Sequence, residues 1–318
     1  MAVYTHVSAE ALAEFLTRFD LGELVSAKGI AEGVENSNYM VDTTKGRFFL
    51  TLYEKRVHES DLPYFFAMLG HLAERGCHVP RALPDRIGQT IHDLAGRPAA
   101  LIEFLPGVSV SHPNPAQARA VGAALGQMHQ ALADFTLERS NTQGPDEWPA
   151  LLARCGRDLD TIQPGLYDTV DGALGDVLTR WPANLPRATI HGDLFPDNVL
   201  MLGDRVSGLI DFYFACTEIR AWDLAVTHSA WAFDAGGAPA APAIGAALVE
   251  GYDAAFPLSV AERTAQPVLA QGACIRFLLT RAWDWLNTPP GALVTRKDPL
   301  AYLRRLDFYR AHGETLFQ

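Results

Sequence analysis

The sequence is poor in cysteine, short of positive charge and without a long apolar run. Its four cysteines, Cys77, Cys155, Cys216 and Cys274, are widely separated in 318 residues and form no C-x-x-C pair. That spacing excludes a zinc cluster or a dithiol redox motif, and leaves core packing as their expected role. Basic side chains number 26 against 37 acidic ones, a formal charge of −11. Such a surface repels phosphate backbones and anionic membranes, so neither nucleic acid nor a membrane is an expected partner. No stretch of apolar residues is long enough to span a bilayer, and the first residues carry acids where a signal peptide needs a basic patch and an apolar core. A reduced, cytoplasmic setting is therefore expected. Internal repeats, coiled-coil heptads and long linkers are missing too.

What is present is enough apolar material, 48% of the residues, to bury a substantial core in one large domain or two intimate lobes. Ser8 can cap a helix over Ala9 to Phe19, in which Leu12, Phe15, Leu16 and Phe19 recur at helical spacing. Asn38 to Val41 and Arg47 to Tyr53 read as two strands joined by the turn residues Thr43 to Gly46, a β-hairpin. Leu62 to Arg75 reads as an amphipathic helix stopped by Gly76. Two short strands, Gln89 to His92 and Ala99 to Phe104, are expected around the turn residues Asp93 and Gly96. From Pro106-Gly107 the pattern changes to longer helices, beginning with Gln117 to Ala133. The division expected is between residues 1–105 and residues 106–318.

The richest stretch chemically is His191-Gly-Asp193-Leu-Phe-Pro-Asp197-Asn198, followed by Ile210-Asp211-Phe212. Phosphoryl transfer asks for a carboxylate that orients the attacking hydroxyl and accepts its proton, and for oxygen ligands that hold magnesium against phosphates. Asp193, Asn198 and Asp211 can supply that set. The competing explanation is that both aspartates cap turns and that His191 fills a core, and bracing the loop is the reading taken for His191. Asp197, after Pro196, is read as a cap for the short helix containing Asn198 or as a substrate contact.

This ordered pattern resembles the protein-kinase-like phosphotransferases, and most closely their aminoglycoside phosphotransferase and small-molecule kinase branch. The resemblance implies an α+β, bilobal fold with a small N-terminal antiparallel sheet lobe and a larger, mainly helical C-terminal lobe. It makes residues 1–105 a nucleotide-binding lobe and residues 106–318 a catalytic and substrate-binding lobe. It makes Asp193 the catalytic base, Asn198 and Asp211 the magnesium ligands, ATP the phosphoryl donor and Asp223 an anchor for the catalytic loop. Gly33 to Val41 resembles the nucleotide-positioning hairpin, so Asn36, Ser37 and Asn38 are expected at the phosphates. Ala100 to Gly107 resembles the hinge, where the backbone of Glu103 and Leu105 would pair with adenine. One departure stands out. The strand after the hairpin carries Thr51 where relatives place a lysine or arginine, and Lys55 is the candidate substitute.

Within that branch, Phe48 to Arg56, His191 to Asn198, Leu209 to Cys216 and Arg276 to Asp284 resemble homoserine kinases of this fold. The implied substrate is L-homoserine, a zwitterion whose carboxylate needs a guanidinium. Arg276 or Arg281 would provide it, although five residues of helix keep the two from sharing a face. Trp231 and Phe233 are candidate pocket walls, with core packing as the alternative. Two other functions remain open at this point: phosphorylation of another small alcohol such as an aminoglycoside, choline or methylthioribose, and a nucleotide-binding regulator without activity, which only Thr51 encourages.

Overall fold

The computed structural model of the protein describes residues 5–30, 36–54, 57–289 and 296–317. The chain divides into two compact units, Met1–Pro106 and Gly107–Gln318.

The first unit is a five-stranded antiparallel sheet with helices. Its elements are α1 (Ala9–Leu16), β1 (Leu24–Ile30), β2 (Ser37–Thr43), β3 (Gly46–Leu52), α2 (Leu62–Glu74), β4 (His92–Leu94) and β5 (Arg97–Glu103), with strand order β1-β2-β3-β5-β4. The Ser8 side chain accepts from the Ala11 amide, as its capping chemistry predicts. Leu12, Phe15, Leu16 and Phe19 are all buried, in one cluster with Tyr39 and Val41 of β2, Leu50 and Leu52 of β3, and Ala99 and Leu101 of β5. Register explains the choice, because Tyr39 pairs with Leu50 and Val41 with Phe48, which puts alternate residues of each strand on the core face.

Two expectations for this unit are corrected. The strand placed at Gln89 to His92 begins instead at His92, because the Asp85 carboxylate accepts from the amides of Ile87 and Gln89 and holds that stretch in a turn. Its hairpin then turns through Ala95 and Gly96, both with positive φ, while Asp93 lies in the strand opposite Pro98. The edge strand β1 was not anticipated. Its residues are exposed or half-buried from end to end, so no alternation announces it, and pairing with β2 defines it.

The second unit is mainly helical. It contains α3 (Pro115–Ala131), α4 (Trp148–Cys155), α5 (Leu159–Ile162), α6 (Leu166–Arg180), β6 (Arg187–Ile190), β7 (Val199–Leu202), β8 (Arg205–Leu209), β9 (Cys216–Ile219), α7 (Arg220–Trp231), α8 (Pro242–Ala255), α9 (Val260–Asn287) and α10 (Leu300–Leu316). The 28-residue α9 runs through the core, buried from Gln266 to Leu279, and packs against α4, α6, α7 and α10. Helices α3 and α8 approach so closely that a side chain at Gly122 would collide with the Leu248 carbonyl. Every residue of α7 is buried. Trp231 and Phe233 belong to this core: the Trp231 indole donates to the Leu194 carbonyl at 2.9 Å, and Phe233 packs on Phe308 and Tyr309.

A buried histidine in this core makes stability depend on pH. His228 is sealed between α7, α8 and α10, its Nδ1 2.6 Å from the Tyr309 hydroxyl and its ring against Phe317, and burial lowers its pKa from 6.5 to about 4. Between those values the unfolded chain binds a proton that the folded chain excludes. Stability is therefore fully present above pH 6.5 and is lost as the pH falls towards 4, by about 3 kcal/mol from this group. Urea unfolding across that window should show the slope, and His228→Phe should flatten it. An equal slope in both proteins would contradict the assignment.

Candidate active site

The chemistry-bearing residues of the second unit meet at the ends of two strand pairs. β6 and β9 pair antiparallel with Ile190 opposite Cys216, and β7 and β8 pair with Val199 opposite Leu209. Residues 191–198 therefore leave β6 beside the turn at 210–215 that leaves β8. His191 ties them together. It is fully buried, and its Nε2 donates to the Ile210 carbonyl at 3.0 Å, which leaves Nδ1 to accept from the Asp193 amide at 3.3 Å. Burial pushes its pKa down, in keeping with a neutral ring whose two nitrogens are already engaged. A brace is what that geometry provides.

Asp223 on α7 holds the same loop from behind. One carboxylate oxygen accepts from the His191 amide at 2.7 Å and the other from the Gly192 amide at 2.8 Å. Although burial alone would push the carboxyl up, the hydrogen bond and charge of His129 keep it below its usual value. His129 Nε2 lies 3.0 Å from Asp223, and its Nδ1 lies 2.9 Å from the Tyr252 hydroxyl. His129 is a satisfied core histidine that also steadies the loop's anchor. No sequence spacing could reveal this, because the two residues lie 94 positions apart.

With its backbone held in this way, Asp193 keeps a side chain 19% exposed. The Asn198 Nδ2 donates to the Asp193 carbonyl at 2.8 Å and reaches its carboxylate at 3.4 Å, so the Asn198 Oδ1 is the atom left for a cation. Asp211 is exposed and occupies the left-handed region, φ 64° and ψ 60°, an unusual conformation for a residue other than glycine. Asp197 does not cap the helical turn 196–198, whose N-cap is Phe195. Its carboxylate points outward, 3.9 Å from Lys297.

The two arginines of α9 separate as the helical rotation predicts. Arg276 is 3% exposed, donates through one terminal nitrogen to the Gly192 carbonyl and places the other 3.8 Å from the Asp193 carboxylate. Arg281 is only half-buried. It donates to the Asp298 carbonyl at 3.3 Å and stacks over Tyr302 at 4.5 Å, and burial pulls its pKa below the usual arginine value.

In the first unit, the side chains expected at the phosphates have partners within the protein. The Asn36 side chain accepts from the Glu54 amide at 3.3 Å, and Ser37, fully buried, donates to the Glu54 carboxylate at 2.6 Å. Asn38 accepts from the Thr51 hydroxyl at 2.8 Å. These three side chains are therefore engaged inside the sheet. Pairing between β2 and β3 sets Asn38 directly opposite Thr51, so the hydroxyl in the place of the expected cation satisfies a neighbouring amide. β3 ends at Leu52, and Lys55 lies outside the described residues. The Glu103 amide donates to the Arg81 carbonyl at 2.9 Å and its carboxylate pairs with the Arg81 side chain, so its amide is not available to adenine. Leu105 follows β5, half-buried in irregular backbone.

Comparison with known proteins gives a consistent result. A family profile described as phosphotransferase enzyme family matches residues 26–258. Homoserine kinase of Gluconacetobacter diazotrophicus is 55% identical over 98% of this chain and 97% of its own length. Homoserine kinase of Nitrobacter winogradskyi is 53% identical over 98% of this chain and 96% of its own. Among solved structures, an amicoumacin kinase covers 97% of this chain and 93% of its own with a TM-score of 0.70 at 14% identity. A microcompartment-associated aminopropanol kinase covers 98% and 99% with a TM-score of 0.68 at 17% identity. At such identities the two structures bear on the fold alone.

Proposed function

The chain belongs to the phosphotransferase enzyme family, and we propose that it transfers the terminal phosphoryl group of ATP to the side-chain hydroxyl of L-homoserine, giving O-phospho-L-homoserine and ADP in the cytoplasm as a step towards threonine. The observation that carries the substrate is the similarity of more than half the residues, over nearly the whole chain, to a protein of that activity. An aminoglycoside, choline or methylthioribose as acceptor has no comparable support. A silent regulator is disfavoured by the retention of Asp193, Asn198 and Asp211 together.

In this reading Asp193 accepts the proton of the attacking hydroxyl while its braced backbone fixes the direction of attack. Asp211 and the Asn198 Oδ1 fit a magnesium ion, as hard oxygen donors on adjoining loops. Among the described residues no group of three or more His, Cys, Asp or Glu could hold a metal, so phosphate and water oxygens would complete the coordination. Bound there, magnesium would offset the phosphate charge. Arg281 is our choice for the substrate carboxylate, since it retains accessible surface and lies on the same helix as Arg276. Phosphorus NMR of a reaction containing ATP, magnesium and L-homoserine should show one new phosphomonoester equimolar with ADP. ADP accompanied only by inorganic phosphate would refute the assignment.

The charge missing at Thr51 is assigned to Lys55. Lys45 and Arg47 are already paired, with Asp20 at 2.5 Å and Asp42 at 2.7 Å. Lys55→Ala should raise the KM for ATP by roughly tenfold, the effect of removing one charge-assisted phosphate contact. An unchanged KM would eliminate Lys55 and direct the search to Arg56.

A further inference from the structure

Arg276 is set into the protein in a way that a ligand anchor would not be. A residue that captures an incoming carboxylate must present two N–H groups to solvent. Arg276 is 3% exposed, and its guanidinium lies against the rings of Phe277 at 4.5 Å, Phe214 at 5.4 Å and Trp222 at 5.7 Å. One terminal nitrogen is spent on the Gly192 carbonyl, while the buried Nε has no hydrogen-bond partner. A permanent charge placed there is costly to bury, and the groups it does meet belong to the loop that carries Asp193.

Those contacts fall on a single peptide group. The peptide joining Gly192 to Asp193 has its carbonyl held by Arg276 and its amide held by His191 Nδ1. The preceding peptide is held by Asp223 through the Gly192 amide. Gly192 itself has φ +74°, a conformation that glycine adopts readily and the loop must still be held in. With its plane fixed at both polar ends, the peptide sets the direction in which the Asp193 side chain leaves the backbone. The second guanidinium nitrogen, 3.8 Å from the Asp193 carboxylate, adds a charge on the same side.

We propose that Arg276 is a positioning residue: it clamps the Gly192–Asp193 peptide and directs the Asp193 carboxylate towards the acceptor hydroxyl, without touching the substrate. The inference rests on the reading of Asp193 as the base. It assigns the two α9 arginines different tasks, Arg276 to the loop and Arg281 to the ligand.

The test separates kcat from KM. Arg276→Met, which keeps an unbranched apolar stem and removes the charge and the donors, should lower kcat by about 30- to 100-fold and leave the KM values for L-homoserine and ATP within about threefold, since only the geometry of attack is lost. Arg276→Lys keeps the charge and one donor for the Gly192 carbonyl, and should recover at least about fivefold of that loss. A role in folding alone would not give rescue of kcat at constant KM in variants matched for urea unfolding. Should Arg276→Met fail to fold, Arg276→Lys decides on its own: about a tenfold drop in kcat at unchanged KM is expected, and parental kcat overturns the proposal. A rise of more than about tenfold in the KM for L-homoserine with kcat preserved also overturns it, because that is the signature of a carboxylate anchor. The parent protein, measured alongside, keeps the two readings apart. If it forms no ADP in response to L-homoserine, the proposed function fails, whereas an active parent with an insensitive kcat removes only the role of Arg276.

Discussion

Asp193→Asn should reduce turnover of L-homoserine by at least about a hundredfold, at the lower end of what a positioned proton acceptor contributes, with little change in the KM for ATP. The substitution preserves the shape of the side chain. The backbone contacts of the loop, from Asp193 to His191 and from Asn198 to the Asp193 carbonyl, do not involve the carboxylate and persist. What disappears is the basic oxygen. Steady-state assays with L-homoserine varied at saturating ATP measure this directly. Turnover close to that of the parent would show that Asp193 is not the base.

The second large effect concerns Asp211. Its left-handed backbone is tolerated by asparagine better than by most residues, so Asp211→Asn removes the charge with little strain, while Asp211→Ala removes the ligand entirely. Both should lower activity by on the order of a thousandfold at ordinary magnesium, the scale of several kcal/mol of lost charge stabilisation. Nucleotide binding in both should also become insensitive to magnesium. Asn198→Ala should instead shift the magnesium titration to higher concentration, since it removes one neutral oxygen and leaves the carboxylate. Titrations that superimpose on that of the parent for all three variants would place the metal elsewhere.

Much of this site was legible in the sequence because its chemistry is local. Asp193, Asn198 and Asp211 lie within 19 residues, on loops delivered by short apolar strands, and a motif of fixed spacing captures them. The Ser8 cap and the β2–β3 hairpin were legible for the same reason, each set by neighbours in the chain. What escaped depends on partners distant in sequence. Arg276 meets Gly192 across 84 residues and His129 meets Asp223 across 94, so helical spacing could say that Arg276 and Arg281 diverge but not which one faces the loop. Asn36, Ser37 and Asn38 are ambiguous in the sequence for a different reason. A short polar side chain suits a phosphate or a strand neighbour equally well, and only the register that brings Asn38 opposite Thr51 shows the bond it makes. The edge strand β1 carries no burial pattern at all and becomes visible only through its pairing.

Thr51 follows from the same register. A cation at that position would displace its bond to Asn38, so the phosphate-binding charge has to come from another residue. On the proposed anchoring of the acceptor by its carboxylate, L-homoserine would present its hydroxyl one methylene further out than L-serine does, so the shorter chain should fall short of the in-line position beside Asp193.

The most direct test is therefore kcat/KM for L-homoserine, L-serine, choline, methylthioribose and an aminoglycoside, measured with one preparation at fixed ATP and magnesium. L-homoserine should exceed each of the others by at least about two orders of magnitude, because each lacks the match of head group and reach. A tenfold preference for choline, methylthioribose or the aminoglycoside over L-homoserine would leave the fold and the phosphoryl chemistry standing and contradict the substrate.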